Sequence, residues 1–152
     1  MLRREDSFGY LVNMLARLFA RGLDRRLAGY GLSHGQFPAL LMLWNQPGLT
    51  QGEIAQRVCV EQPTMANTLN RMEREGLIER HPDADDRRRV LVYPSQRAMA
   101  LRDEVLAQAI ATNAAATEGL EEHEKALAQD LLRRMIGNLE RDVGAYTGAG
   151  RD

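Results

Sequence analysis

A mainly α-helical fold with one small β-hairpin is what this chain of 152 residues predicts, and three features carry the prediction. Apolar residues recur with a 3.6-residue period along most of the chain, the pattern of helices that pack one face. Near the middle two β-prone segments, Ile78 to His81 and Val90 to Tyr93, break that period, and Pro82-Asp83-Ala84-Asp85-Asp86 between them supplies turn chemistry. Helix punctuation at Thr50, Pro63, Gly76 and Ser95 falls where one periodic run gives way to the next. Hydrophobic residues make up 44% of the chain, enough for one packed core at this length, so residues 1–152 read as a single domain.

Phe8, Leu11, Val12, Leu15, Leu18 and Phe19 make residues 6–28 an amphipathic helix, which Gly29 to Gly31 ends. A second helix, about Ser33 to Asn45, carries Phe37, Leu40, Leu41 and Trp44, and Pro47-Gly48 links it to the central helical segment. Tyr10, Phe37 and Trp44 read as core aromatics. Thr50 and Glu53 form a capping box, in which hydroxyl and carboxylate satisfy reciprocal free backbone donors. A helix therefore begins at about Gln51, with Ile54, Ala55 and Val58 on its packed face. Cys59, Val60 and Glu61 make a turn. Pro63 then suits the first turn of a helix from about Gln62 to Glu75, because its missing N–H removes no intrahelical bond, and Gly76 stops that helix. Beyond the hairpin, Pro94 weakens only the last ladder position of a strand. Ser95 caps a helix of about Gln96 to Thr117, with Leu101, Val105 and Ala109 along one side. A final helix, about Glu121 to Tyr146, aligns Leu127, Leu131, Met135, Leu139 and Val143 in a nearly straight seam that calls for a partner helix.

On the helix from Gln62, Met65, Leu69 and Met72 fall on one stripe, whereas Thr64, Asn67, Thr68 and Arg71 fall on another. The first stripe packs and the second faces outward. Threonine, asparagine and arginine reach base edges and phosphates in a major groove, where a merely solvated helix more often carries Glu and Lys. Gln62 joins this candidate DNA-binding set at the start of the helix. Arg87, Arg88 and Arg89 place three fixed cations at the hairpin's end, and Asp86 orients the tip by pairing with Arg88 or a neighbour. Helix, turn, helix and basic hairpin describe a winged helix-turn-helix over residues 33–95.

The net charge of −1 argues mildly against nucleic acid, so local distribution has to decide. Arginine concentrates at the hairpin, while Glu118, Glu121, Glu122 and Glu124 place acid far along the chain. Lys125 is the sole lysine among 20 basic residues, so arginine abundance alone carries little weight. No apolar run approaches a membrane span, and the start of the chain has no signal-peptide core, so a cytoplasmic protein without a membrane partner is expected. The single cysteine, Cys59, excludes an internal disulfide framework and reads as a half-buried turn residue. His34, His81 and His123 have no metal-pair spacing, and Asp83, Asp85 and Asp86 are turn formers lacking the rest of a calcium loop. With no phosphate loop, nucleophile elbow or acid–base cluster, no enzyme, cofactor or metal is expected.

The segment from Leu49 onward resembles the DNA-binding core of the MarR family of bacterial transcription regulators. The family's pattern stands here as Leu49-Thr50, Glu53-Ile54-Ala55, Gly76-Leu77-Ile78-Glu79-Arg80 and Asp86-Arg87-Arg88. The run Glu61-Gln62-Pro63-Thr64 is similar to the SlyA branch. Two departures stand out. SlyA-like proteins carry an arginine where this chain has Asn67, and family members usually leave the wing through Leu-Thr where this chain has Pro94-Ser95.

The expected function is a sequence-specific regulator of transcription bound to double-stranded DNA. Long terminal helices, 6–28 and 96–146, would build a homodimer, because one small winged core cannot bury their seams. Two recognition helices related by a two-fold axis then read a palindromic operator, and the wings reach flanking minor grooves, where narrow A·T-rich DNA attracts arginine. The resemblance further implies repression, released by a small phenolic or anionic effector bound between the dimerisation helices and the winged core. Arg17, Arg21 and His34 are the candidate effector-binding residues. The alternative is a helical protein-interaction module that does not bind DNA.

Overall fold

The computed structural model describes residues 3–144. The expected end of the last helix at Tyr146 therefore lies outside the described residues. Helix α1 (Phe8–Leu27) starts where the Ser7 hydroxyl accepts from the Tyr10 N–H, runs into a 3-10 turn at Ala28–Tyr30 and stops at Gly31, whose φ of +70° is left-handed.

Helix α2 (Phe37–Asn45) begins four residues later than the expected start at Ser33. Pro38 lies in its first turn and has no N–H to give to a helix arriving from Ser33. Residues 33–36 instead form a turn, in which the Ser33 carbonyl accepts from the Gln36 and Phe37 N–H groups.

Helix α3 (Gln51–Arg57) carries both halves of the capping box: Glu53 N–H donates to Thr50 Oγ1 (3.2 Å) and Thr50 N–H to Glu53 Oε2 (2.8 Å). Helix α4 (Gln62–Arg74) has Pro63 in its first turn and ends in a Schellman motif. There Leu77 N–H donates to Met72 O, Gly76 N–H to Glu73 O, and Gly76 takes φ +71°. Strands β1 (Ile78–Pro82) and β2 (Val90–Pro94) pair antiparallel, with Ile78 opposite Pro94 and Pro82 opposite Val90.

A contact not read from the sequence joins the hairpin to the helix pair. Leu49 bridges Val92 as a one-residue extension of the sheet, and Gly48 N–H donates to Val92 O (2.9 Å). Gly48 has φ +82°, and a Cβ there would stand 3.1 Å from the Tyr93 hydroxyl, so the crossing needs glycine.

Helix α5 (Gln96–Ala116) is capped by Ser95, whose Oγ accepts from Ala98 N–H (3.1 Å). Helix α6 (Glu122–Val143) is the last element. The core gathers Leu40, Leu43 and Trp44 of α2, Ile54 of α3, Leu69 and Met72 of α4, Val92 of β2 and Val105 of α5. Trp44 Nε1–H donates to Ala98 O (3.2 Å), pinning α5 to α2, and Phe37 meets the Trp44 ring edge-on.

Tyr10 departs from expectation: it is exposed, because the face of α1 that carries it meets nothing in this subunit. The same holds for Phe8, Leu11, Leu15 and Leu18, and α6 contains no buried residue at all. Cys59 is also exposed rather than half-buried, and it takes φ +54° at the turn between α3 and α4.

Candidate nucleic-acid interface

Helix α4 is amphipathic for a sequence reason: Met65, Leu69 and Met72 recur on one stripe and are buried. Their burial fixes the helix's rotation and turns Thr64, Asn67 and Arg71 outward, all three exposed or half-exposed to solvent, with Thr68 beside them. The Thr68 hydroxyl donates to the Thr64 carbonyl (3.0 Å), so its proton is already engaged within the helix. Gln62 is held at the α3–α4 junction, where its Oε1 accepts from Gln51 Nε2 (3.1 Å). Its side chain also stands 3.0 Å from where a Cβ on Gly52 would sit.

Arg71 Nε donates to Glu75 Oε1 (2.8 Å), and Glu75 Oε2 accepts from Gln36 Nε2 (2.8 Å). These two hydrogen bonds, Arg71's first and Gln36's second, hold the Glu75 carboxyl below its ordinary range against a smaller upward push from burial.

Asn70 and Arg74 were not among the sequence candidates. They line a shallow concavity of about 600 Å³ together with Asn67, Arg71 and Glu73. The signal was available, since steps of three and four residues from Asn67 lead to Asn70 and Arg71, and three more to Arg74. Asn70 also receives a hydrogen bond from Arg80 of β1 (2.9 Å), tying hairpin to helix.

At the wing tip, two aspartates build the turn. Asp83 Oδ1 accepts from Asp85 N–H (3.0 Å) and Asp86 Oδ1 from Arg88 N–H (3.0 Å), while the backbone closes through Asp83 N–H to Arg89 O (2.9 Å). Arg88 Nε also donates to Asp86 Oδ1 (3.2 Å), yet its side chain remains 92% exposed. That side-chain bond, and then the backbone one from Arg88, lower the Asp86 pKa.

The three wing arginines are not equivalent. Arg89 pairs with Asp83 (3.3 Å) and reaches Glu53 of α3 (3.7 Å), so it faces the body of the domain. Arg87 is exposed and makes no ion pair among the described residues.

The candidate effector residues do not come together. A cavity of about 350 Å³ between α1, α2 and α5 is lined by Phe19, Leu23, His34, Phe37, Ala109 and Thr112 among others. Arg17 and Arg21 line a separate, open concavity with Tyr10 and Asn13 on another face of α1. His34 is already engaged: its N–H donates to Asp24 Oδ1 (2.6 Å) and its Nδ1 lies 2.8 Å from Asp24 Oδ2. Burial pushes the Asp24 carboxyl up, but the His34 backbone and ring contacts together pull it down further.

With α3, its turn and α4 standing against a paired hairpin, the molecule is a winged helix-turn-helix protein, a fold that presents one polar helix face and one basic tip to DNA. Residues 32–90 match the family model described as the MarR family. Among solved structures, the transcriptional regulator PA3341 is 37% identical, with a TM-score of 0.78 over 89% of this chain and 99% of that one. The transcriptional regulator SlyA is 27% identical, with a TM-score of 0.81 over 86% of this chain and 92% of that one. MepR of S. aureus, solved as a DNA complex, is 26% identical, with a TM-score of 0.80 over 87% and 98%. The chain belongs to the MarR family, whose members are DNA-binding regulators of transcription rather than enzymes. No helix among the described residues is long and apolar enough to cross a membrane.

Proposed function

We propose that this chain is a homodimeric repressor that binds a palindromic operator and is released when a small molecule occupies the cavity between α1, α2 and α5. In this reading residues 33–95 read DNA, and residues 6–28 and 96–146 hold two copies together. The protein acts beside the chromosome, in the bacterial cytoplasm.

The observation that carries the reading is the apolar surface left open at both ends of the chain. Leu127 (56% exposed), Leu139 (61%) and Val143 (73%) on α6, with Phe8 (71%) and Leu18 (53%) on α1, have no cover within the subunit. Burying a leucine or phenylalanine side chain fully is worth about 1.5–3 kcal/mol, so pairing two copies through these faces is strongly favoured. A two-fold pair sets two α4 helices in successive major grooves, about 34–36 Å apart.

MepR was solved on DNA with the same fold, which supports the same docking here. Gln62, Thr64, Asn67, Thr68 and Arg71 then face the major groove, and Arg87 and Arg88 reach phosphates or the minor groove. Arg89 contributes a cation from a fixed position beside Asp83, and Asp86 holds Arg88 in place. The separation of Arg17 and Arg21 from the cavity, whose lining also includes Asn113, favours a phenolic effector recognised by Thr112, Asn113 and His34 over one bound through a guanidinium.

The test is a titration of the purified protein against the DNA upstream of its own coding region, at two salt concentrations with nonspecific competitor. Competitor-resistant, salt-sensitive binding of two subunits per site is expected. Failure there and on a genome-wide fragment library would favour the protein-interaction alternative.

A further inference from the structure

Arg71 belongs to the outward face of α4, but its direction is set from inside the domain. Its partner Glu75 closes the helix and is held at both carboxylate oxygens and at its backbone carbonyl. Glu75 Oε1 takes the Arg71 Nε–H and Oε2 takes the Gln36 side-chain amide, both at 2.8 Å. The Glu75 backbone carbonyl accepts from the Arg97 guanidinium of α5. Gln36 is itself fixed: it is 3% exposed, and its Oε1 accepts from Ser33 N–H (3.2 Å) in the turn before α2.

An ordinary exposed pair four residues apart contributes little, because two long side chains must be ordered to make it. Here the acceptor is ordered already, so Arg71 alone gives up freedom. The contact uses only Nε, leaving the two terminal amino groups of the guanidinium, the pair that forks onto O6 and N7 of guanine.

We propose that Gln36 and Glu75 are positioning residues that aim Arg71 at one base pair, so that Arg71 reads sequence instead of holding a phosphate. The proposal rests on the DNA-binding reading above and adds which residue discriminates and what makes it do so. Glu75 is the hinge of the arrangement. Glu75→Gln keeps an oxygen to accept from Gln36, so the buried amide stays satisfied, but it removes the charge that holds Arg71. Gln36→Met does the converse, leaving the Arg71–Glu75 pair while releasing Glu75 from the interior.

The experiment is selection and sequencing from randomised duplex DNA with the wild type, Arg71→Ala, Glu75→Gln, Gln36→Met and the Arg71→Ala/Glu75→Gln double variant. Thermal melting of each protein confirms the fold. Arg71→Ala and Glu75→Gln are expected to lose preference at the same base pair, by about tenfold, with other positions unchanged. The double variant is expected to match Arg71→Ala alone, because the two residues act as one unit. Gln36→Met is expected to give a smaller loss at that same position.

Glu75→Gln retaining full preference there, or losing affinity evenly on all sequences, overturns the proposal. Enrichment of no sequence by the wild type overturns the DNA reading itself and this assignment with it, an outcome distinct from the first because the wild type fails. A DNA-free check is water exchange at the Arg71 Nε–H by NMR. Slow exchange in the wild type and fast exchange in Glu75→Gln are expected, and equally fast exchange in both removes the positioning role.

Discussion

Arg88 and Asn67 sit on different elements and fail in different ways when changed. Arg88 is almost wholly exposed at the wing tip, so Arg88→Ala removes one cation from the proposed DNA-facing surface. Binding is expected to weaken on every sequence, and the slope of log K against log salt to shrink by about one, measured by anisotropy across a salt series. Loss on a single operator only would contradict this role. Asn67 carries no charge, and Asn67→Ala is expected to relax discrimination at particular base pairs by about 1–3 kcal/mol, read from single-substitution operator variants. An even loss would make it a phosphate contact. Glu75 adds a pH signature. Its folded pKa lies below the ordinary 4.5, so the charged form is favoured by folding. That stabilisation is complete above the unfolded value and disappears as pH falls through the folded one. The melting-temperature gap between wild type and Glu75→Gln is therefore expected at neutral pH and to close as the pH drops below 4.5.

Elements declare themselves where their signals are local. The Thr50–Glu53 box and the Gly76 stop are each written within a few residues, and the structure repeats them atom for atom. Thr50→Ala is expected to cost about 1 kcal/mol in denaturant unfolding, since the Glu53 N–H loses its acceptor. A neutral result would mean that water replaces the hydroxyl at no cost. The start of α2 was less legible because Ser33, His34, Gly35 and Gln36 carry no apolar residue to mark a helical period, and Pro38 withholds the hydrogen bond that a helix continuous from Ser33 needs. The Leu49–Val92 bridge is a single residue pair, too short to leave a two-residue alternation.

At the scale of the whole molecule, the proposed assembly rests on the open faces of α1 and α6, and the proposed control on the cavity between α1, α2 and α5. Leu131→Glu is expected to halve the mass measured by light scattering and to abolish operator binding, because a charge in a leucine seam is not desolvated without a partner. Retention of the dimer would move the interface off α6. Ala109→Phe pushes a ring toward the cavity lined by Phe19, Leu23 and Phe37. It is expected to imitate an occupying ligand, weakening operator binding while melting temperature is kept or raised. Unchanged binding would detach this cavity from control.

Helices, hairpin and the outward face of α4 are legible in the chain alone, because period, caps and turns are set by neighbours along it. The same local rules place the candidate DNA-facing residues on common surfaces, since the buried Met65–Leu69–Met72 stripe fixes where Thr64, Asn67 and Arg71 point. Which of these groups are already engaged emerges only from the packed molecule. Arg89 is drawn to Asp83 and Glu53, Arg17 and Arg21 lie apart from His34, and Arg71 answers to a glutamine that reaches Glu75 from 39 residues away. Such pairings come from distant segments meeting in space, and a charged side chain's partner depends on that meeting rather than on its neighbours in sequence.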